Sequence, residues 1–294
     1  MHDWRTIRVP ASSANLGPGF DALGLALGVY LECRFRPSET LTIRATGLDA
    51  GLISTAADNL IWQIARRVGA TGPIELEIDN AIPIGKGLGS SAAAVTAGVV
   101  IGAEIAELRW DRTRILDEAA RIEGHPDNVA PCILGGLVAA AIDCTGAVRA
   151  VRHDLHPDYR VAVVVPDFVL PTEKSRQVLP DSYSRADAIF NLQRVALLIS
   201  ALTTGATSVF PAALDDRLHQ PYRFPLVPGL EEMTRLRAPG LLGCALSGAG
   251  PSVLVFHERG HDEVCELFRQ AFLRHGSTAE ILHPEVPAHG YEAV

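Results

Sequence analysis

The sequence predicts an α+β protein of two domains, on three observations. At 294 residues the chain is long for one hydrophobic core and natural for two of ordinary size. Strand-like and helix-like segments follow one another irregularly, with strands adjacent in both halves, whereas a doubly wound sheet would alternate them regularly. A polar loop at 153–158 divides a first half, residues 1–153, from a second, residues 154–294.

Taken in order, residues 6–9 alternate as a short half-buried strand, 25–35 form a longer apolar strand, and 41–45 alternate again. Residues 58–68 carry Leu60, Ile61, Ile64, Ala65 and Val68 at helical spacing, behind Asp58 or Asn59 as cap. The stretch 74–78 is a strand with Glu75 and Glu77 outward. Residues 92–107 form a helix whose apolar first half must be buried, 111–122 a second helix, and 136–142 a strand. In the second half, 161–165 is a buried strand and 185–202 a long amphipathic helix. Strands at 241–246 and 253–256 flank a glycine-rich turn, a helix covers 263–274, and 280–282 is a last strand.

A net charge of −8 argues against nucleic acid or an anionic membrane as partner. Cys33, Cys132, Cys144, Cys244 and Cys265 are scattered, odd in number and never in a CxxC pair. That pattern fits reduced, mostly buried thiols in a cytoplasmic protein, not a disulfide or zinc framework. The ten histidines include no HExxH or other close ligand spacing. The first residues, MHDWRTIRVP, have no signal-peptide core, and the apolar stretch 92–103 is too short to span a bilayer.

The chemistry concentrates in four small-residue segments. PIGKGLGSSAA, residues 83–93, lies between a strand and a buried helix. Gly85, Gly87 and Gly89 allow positive φ and bring amide N–H groups close to an anion, and the helix starting at Ser90 or Ser91 points its positive end into the loop. The segment matches neither the Walker A nor the Rossmann pattern, and a tight turn before a Ser-capped helix is the alternative. PASSANLGPGFDALGLAL, 10–27, sets Asn15 and Asp21 between two strands, as a site or as turns. LSGAGPS, 246–252, permits close approach to a ligand or to the other domain, or is a plain hairpin. EGHPDNVAP, 123–131, crowds Glu123, His125, Asp127 and Asn128 between two helices, where Asp127 alone would explain it as a cap.

Together, and in that chain order, these four segments resemble the signatures of the GHMP kinases, over about residues 6–257. Within that family, SSANLGPGFD combined with EGHPDNVAP is most similar to the branch that phosphorylates homoserine in bacterial threonine biosynthesis. The resemblance implies an N-terminal domain like the second domain of ribosomal protein S5, a ferredoxin-like C-terminal domain, and ATP between them. It implies that Pro83, Ile84, Gly85, Lys86, Gly87, Leu88, Gly89, Ser90, Ser91, Ala92 and Ala93 wrap the nucleotide, with Asn59 at the adenine edge. Magnesium falls to Ser91 and Glu123, with Asp117 or Glu118 as alternatives in register. For L-homoserine, Asn15 and Asp21 are implied to receive the ammonium, Thr172, Arg176 and Arg223 the carboxylate side. His125, Asp127 and Asn128 are implied beside the reacting hydroxyl, with Arg176 neutralising charge and no strong general base. Relatives are often dimers, so a homodimer is expected. The competing readings are a kinase for another alcohol such as mevalonate, or a binding protein that has lost catalysis.

Overall fold

The computed structural model describes residues 3–293. The first half builds β1 (Arg5–Ala14), β2 (Leu23–Pro37), β3 (Thr42–Gly47), α1 (Leu60–Val68), β4 (Ile74–Asn80), α2 (Ser90–Ile105), α3 (Arg112–Glu123), α4 (Pro126–Leu134), β5 (Leu137–Ile142) and β6 (Val148–His153). The strands form a seven-stranded sheet ordered β11-β1-β2-β4-β3, with β5 also on β2 and β6 on β5. The 15-residue β2 organises it: Leu31–Pro37 pairs with β4 and Leu23–Leu25 with β5. Alternate residues Ile7, Val9 and Ala11 of β1 are buried, as period-two patterning requires. Nearly every residue of α2 from Ala92 to Ala103 is buried, which explains its apolar sequence.

The second half adds β7 (Tyr159–Pro166), α5 (Thr172–Gln177), α6 (Arg185–Thr204), α7 (Gln220–Arg223), α8 (Leu230–Thr234), β8 (Leu241–Leu246), β9 (Val253–Glu258), α9 (Cys265–Arg274), β10 (Ala279–Leu282) and β11 (Glu292–Ala293). Its antiparallel sheet runs β10-β7-β9-β8. Alternation divides this sheet's side chains between two cores. Val161, Val163, Leu254 and Phe256 join the core of the first sheet. Ala162, Val164, Val253 and Val255 pack with Phe268 and Phe272 of α9. After β10 the chain returns to the first sheet: Gly28 N–H donates to the Glu285 carbonyl, Tyr291 N–H to Cys132, and β11 pairs with β1.

Several boundaries differ from the sequence expectation for local reasons. β1 runs on to Ala14 because small, buried Ser12 and Ser13 continue its pairing with β2. Helix α2 begins at Ser90 behind Gly89, so no serine caps it. Asn59 caps α1, its side chain accepting from Trp62 N–H. Asp127 is not a cap either; His125 holds that position and Asp127 sits in the first turn. β6, a short strand carrying Arg149 and Arg152, was not expected from the sequence. Helix α6 is long and apolar enough to cross a membrane by length and composition alone; here Asn191, Leu198, Ala201 and Leu202 turn into the protein.

Candidate active site

A cleft of about 480 Å³ runs along the junction of the two sheets, and the four small-residue segments meet there. Ser247, just after β8, donates its hydroxyl proton to the Gly87 carbonyl at 2.7 Å, and its Oγ can accept from Ser13 Oγ at 2.8 Å. Gly248 N–H donates to Ala14, and Ser252 N–H to the Lys86 carbonyl. LSGAGPS is therefore a hairpin turn that also stitches the first segment to the second. These approaches require glycine: a Cβ on Gly87 (φ 80°) would lie 2.3 Å from the Ser247 carbonyl oxygen, and one on Gly89 (φ 67°) 2.1 Å from Ser12 Oγ.

At one end of the cleft, the N-terminus of α2 presents Ser90 and Ser91. A glycine cap supplies no side-chain acceptor, so first-turn N–H groups of a 16-residue helix remain for an anion. Ser91 Oγ donates to Glu123 Oε2 at 3.4 Å. Burial raises the Glu123 carboxyl above its usual range, against the opposing pull of His125 and Ser91. A hydroxyl and a carboxylate together are the hard oxygen donors magnesium takes. Asp117 and Glu118 point elsewhere: Asp117 accepts from Val148 N–H, and Glu118 pairs with Arg114 and Arg121. Leu52, Ile53, Leu60, Ile61 and Ile78 give the cleft an apolar lining, and Asn59 lines it too. Asn59 also donates to the Ser54 carbonyl at 2.6 Å.

At the other end the groups are charged side chains. Arg223 is 1% exposed yet lines the cleft. Its Nε donates to Ser175 and its Nη1 to Gly248 and His219 Nδ1. An arginine has only donors, so His219 Nδ1 must accept, and its Nε2–H donates to the Gly17 carbonyl at 2.7 Å. Burial lowers the His219 pKa and favours the neutral ring this arrangement needs. Among the described residues no carboxylate lies in ion-pair range of Arg223; burial, then the nearby Arg176, lowers its pKa to about 10. Arg176 Nη2 donates to Asp21 at 3.1 Å, and Asn15 receives Asp21 N–H while donating to Gly248. Asp21 thus already has a cation beside it. His125 Nδ1 contacts Asp127, and Asn128 Oδ1 accepts from Ser12 Oγ at 3.0 Å. Burial lowers the His125 pKa, but the hydrogen bond and charge of Asp127 outweigh it, for a net rise.

Residues 55–136 match the model of the GHMP kinases N terminal domain. A homoserine kinase of Solibacter usitatus is 64% identical over 296 residues, covering 99% of this chain and 97% of its own. The chain belongs to the homoserine kinase family. A crystal structure of homoserine kinase from Cytophaga hutchinsonii superposes with a TM-score of 0.85 at 27% identity, covering 100% of this chain and 98% of that one. A putative homoserine kinase from Listeria monocytogenes superposes with a TM-score of 0.80 at 30% identity, covering 99% of both chains. The two-domain GHMP kinase fold is therefore the architecture of this enzyme.

Of the residues expected at the site of this family member, the cleft gathers Asn15, Asp21, Asn59, Ile84, Gly85, Gly87, Leu88, Gly89, Ser90, Ser91, Glu123, His125, Asp127, Asn128, Thr172, Arg176 and Arg223. Pro83, Lys86, Ala92 and Ala93 are not among its walls. Ala92 and Ala93 face the core because α2 is buried on that side. Lys86 turns away, its Nζ donating to the Pro166 and Phe168 carbonyls at 2.8 Å. It ties the glycine loop to the second sheet and points no charge at the cleft. Sequence reasoning missed His219, which orients Arg223, and Phe20, which stacks on His219 at 5.2 Å between ring centroids. For His219 the only local signal was its spacing of four from Arg223, across the short helix it caps.

Proposed function

We propose that this kinase transfers the γ-phosphoryl group of ATP to the side-chain hydroxyl of L-homoserine, giving O-phospho-L-homoserine for threonine biosynthesis. The observation that carries the proposal is Arg223: a buried guanidinium without a carboxylate of its own, at the far end of a cleft that begins at a helix N-terminus. Keeping such a charge dry is costly unless an anion meets it, and a substrate carboxylate is that anion. In this assignment ATP lies with its base against the apolar lining beside Asn59 and its phosphates against Gly85 to Ser91. Ser91 and Glu123 would hold magnesium, which supplies neutralisation of phosphate charge.

Homoserine then lies with its carboxylate between Arg223 and Arg176, near Thr172. Its ammonium faces Asp21 and Asn15, drawing on the carboxylate that Arg176 holds without substrate. The hydroxyl oxygen sits by His125, Asp127 and Asn128. It forms a bond to the γ-phosphorus as the bond to the β,γ-bridging oxygen breaks and ADP leaves. The transition state is loose, so the hydroxyl proton need not depart before the new bond forms; it leaves late, to a phosphate oxygen or water. Positioning by Asn128 and His125 and charge neutralisation by loop amides and Arg176 carry the rate. Cytoplasmic location and a homodimer complete the proposal; the free thiols support the first, and exposed Ile189, Leu192 and Leu197 on α6 offer a surface for the second.

An ADP-release assay with L-homoserine, 4-hydroxybutyrate and mevalonate, with and without magnesium, tests this. Strong preference for homoserine, dependent on magnesium, is expected. Comparable turnover of mevalonate would reassign the acceptor, and no turnover of any alcohol would favour a binding protein.

A further inference from the structure

A second cluster of donor atoms lies far from the cleft in the chain's connectivity, where β9, α9 and β10 converge. Odd-numbered Val253 and Val255 of β9 pack against α9, and His257 continues that face. On β7, Ala162 faces the same way, and the β10 register running Leu282↔Val163 places His283 opposite Ala162. Cys265, the first residue of α9, is buried on the underside of its helix. His257, Cys265 and His283 thus bring one nitrogen or sulfur atom each to within 4.8 Å of one another.

The decisive detail is the state of His257. Its side chain is wholly buried, and its Nδ1–H donates to the Glu258 carbonyl at 3.0 Å. That bond leaves the lone pair on Nε2, and Nε2 is a buried atom without any hydrogen-bond partner. A histidine held through one ring nitrogen by a backbone carbonyl, with the other bare, is the arrangement metal-binding histidines adopt. Asp262 Oδ1 lies 3.8 Å from His257 Nε2 and 3.7 Å from His283 Nδ1. Ligands of a tetrahedral zinc ion, bonded at about 2.0–2.3 Å, stand roughly 3.3–3.8 Å apart. The half-exposed His283 and Asp262 are free to close what remains and open a path from solvent. The nearby cation, Arg160, is turned away, donating to Pro157 and Tyr159.

We propose that His257, Cys265, His283 and Asp262 form a site for a divalent transition metal, zinc above all, clamping α9 and the end of β10 to the second sheet. Two imidazoles, a thiolate and a carboxylate suit zinc and exclude magnesium, which takes oxygen donors. Binding releases the thiol proton, and all four ligands act without any redox step.

Cobalt(II) titrated into the tag-free, metal-stripped protein reads this directly. One equivalent should bind with the visible bands of a tetrahedral site and a thiolate-to-cobalt charge-transfer band, both displaced by zinc. Cys265→Ser should abolish the charge-transfer band. His283→Ala, at an exposed position the fold tolerates, should weaken cobalt binding by about 100-fold or more, at least the loss seen on disturbing a metal's outer shell. Metal held instead by Asp21, His125 and Asp127 of the cleft would show no thiolate band, since that group has no sulfur. Absence of the band in the unmodified protein, or unaltered binding in both variants, would overturn the proposal and leave His257 and Cys265 as core packing.

Discussion

In the proposed assignment, the end of the cleft given to phosphate is built from backbone groups, whereas the end given to the acceptor is built from side chains. The first end is made by three glycines at positive φ and the opening turn of α2. Few side chains matter there, but an added Cβ matters greatly. The second end is made by Arg223, Arg176, Asp21 and Asn15, with partners as distant in sequence as Ser175, His219 and Gly248. There, in the proposed assignment, the length and shape of charged side chains set what can bind. A common phosphate donor and a particular acceptor call for this division: shape-independent anion binding at one end and fixed charges at the other.

The largest effect that separates the ends is expected from Gly87→Ala. Its Cβ would meet a backbone oxygen, and the left-handed φ adds strain, so unfolding free energy measured in urea should fall by about 3 kcal/mol. Unchanged stability would mean the loops are not stitched as described. Ser91→Ala should leave the fold intact, because Ser91 is exposed, and lower kcat by about 100-fold. Arg223→Lys should weaken homoserine binding by about 10- to 100-fold, roughly 1.4–2.8 kcal/mol, with ATP affinity nearly constant, as titration calorimetry would show. Arg176→Lys should cost less, about tenfold or under, since Arg176 is partly exposed and already paired with Asp21.

The smallest effect is one of pH. Burial first, and Asp127 after it, raise the Glu123 carboxyl above its ordinary 4.5. If Glu123 acts ionised, kcat/KM should fall on the acid side at a higher pH than an exposed glutamate would give. The contribution to stability runs the other way: the fold favours the protonated carboxyl, so this group stabilises more as pH drops through its raised pKa. An acid limb at the ordinary glutamate position at limiting magnesium would mean that ionisation of a buried Glu123 does not set the activity.

The same contrast governs what the sequence made legible. Glycines declare a backbone function locally, and PIGKGLGSSAA reads as an anion loop without any tertiary knowledge. Arg223 carries no such local mark. Its importance comes from burial beside His219 and from the missing carboxylate partner, which only the packed structure supplies. Lys86 misleads in the opposite sense, a charge within the loop whose reach carries it to Pro166 and Phe168. Most strands were visible as alternating or apolar runs, but the return of 285–293 to β1 was not. A two-residue strand has no period, and its hydrogen bonds are set by partners from across the chain.

The acceptor end is tested most directly by trimming substrate and enzyme together. kcat/KM should be measured for L-homoserine and for 3-aminopropan-1-ol, which keeps the amine and hydroxyl but lacks the carboxylate, in the unmodified kinase and in Arg223→Lys. If Arg223 holds the carboxylate, the substitution lowers kcat/KM for homoserine by about 10- to 100-fold and leaves the residual activity on aminopropanol nearly unchanged. Equal losses on both substrates would contradict it and assign Arg223 to the framework of the cleft.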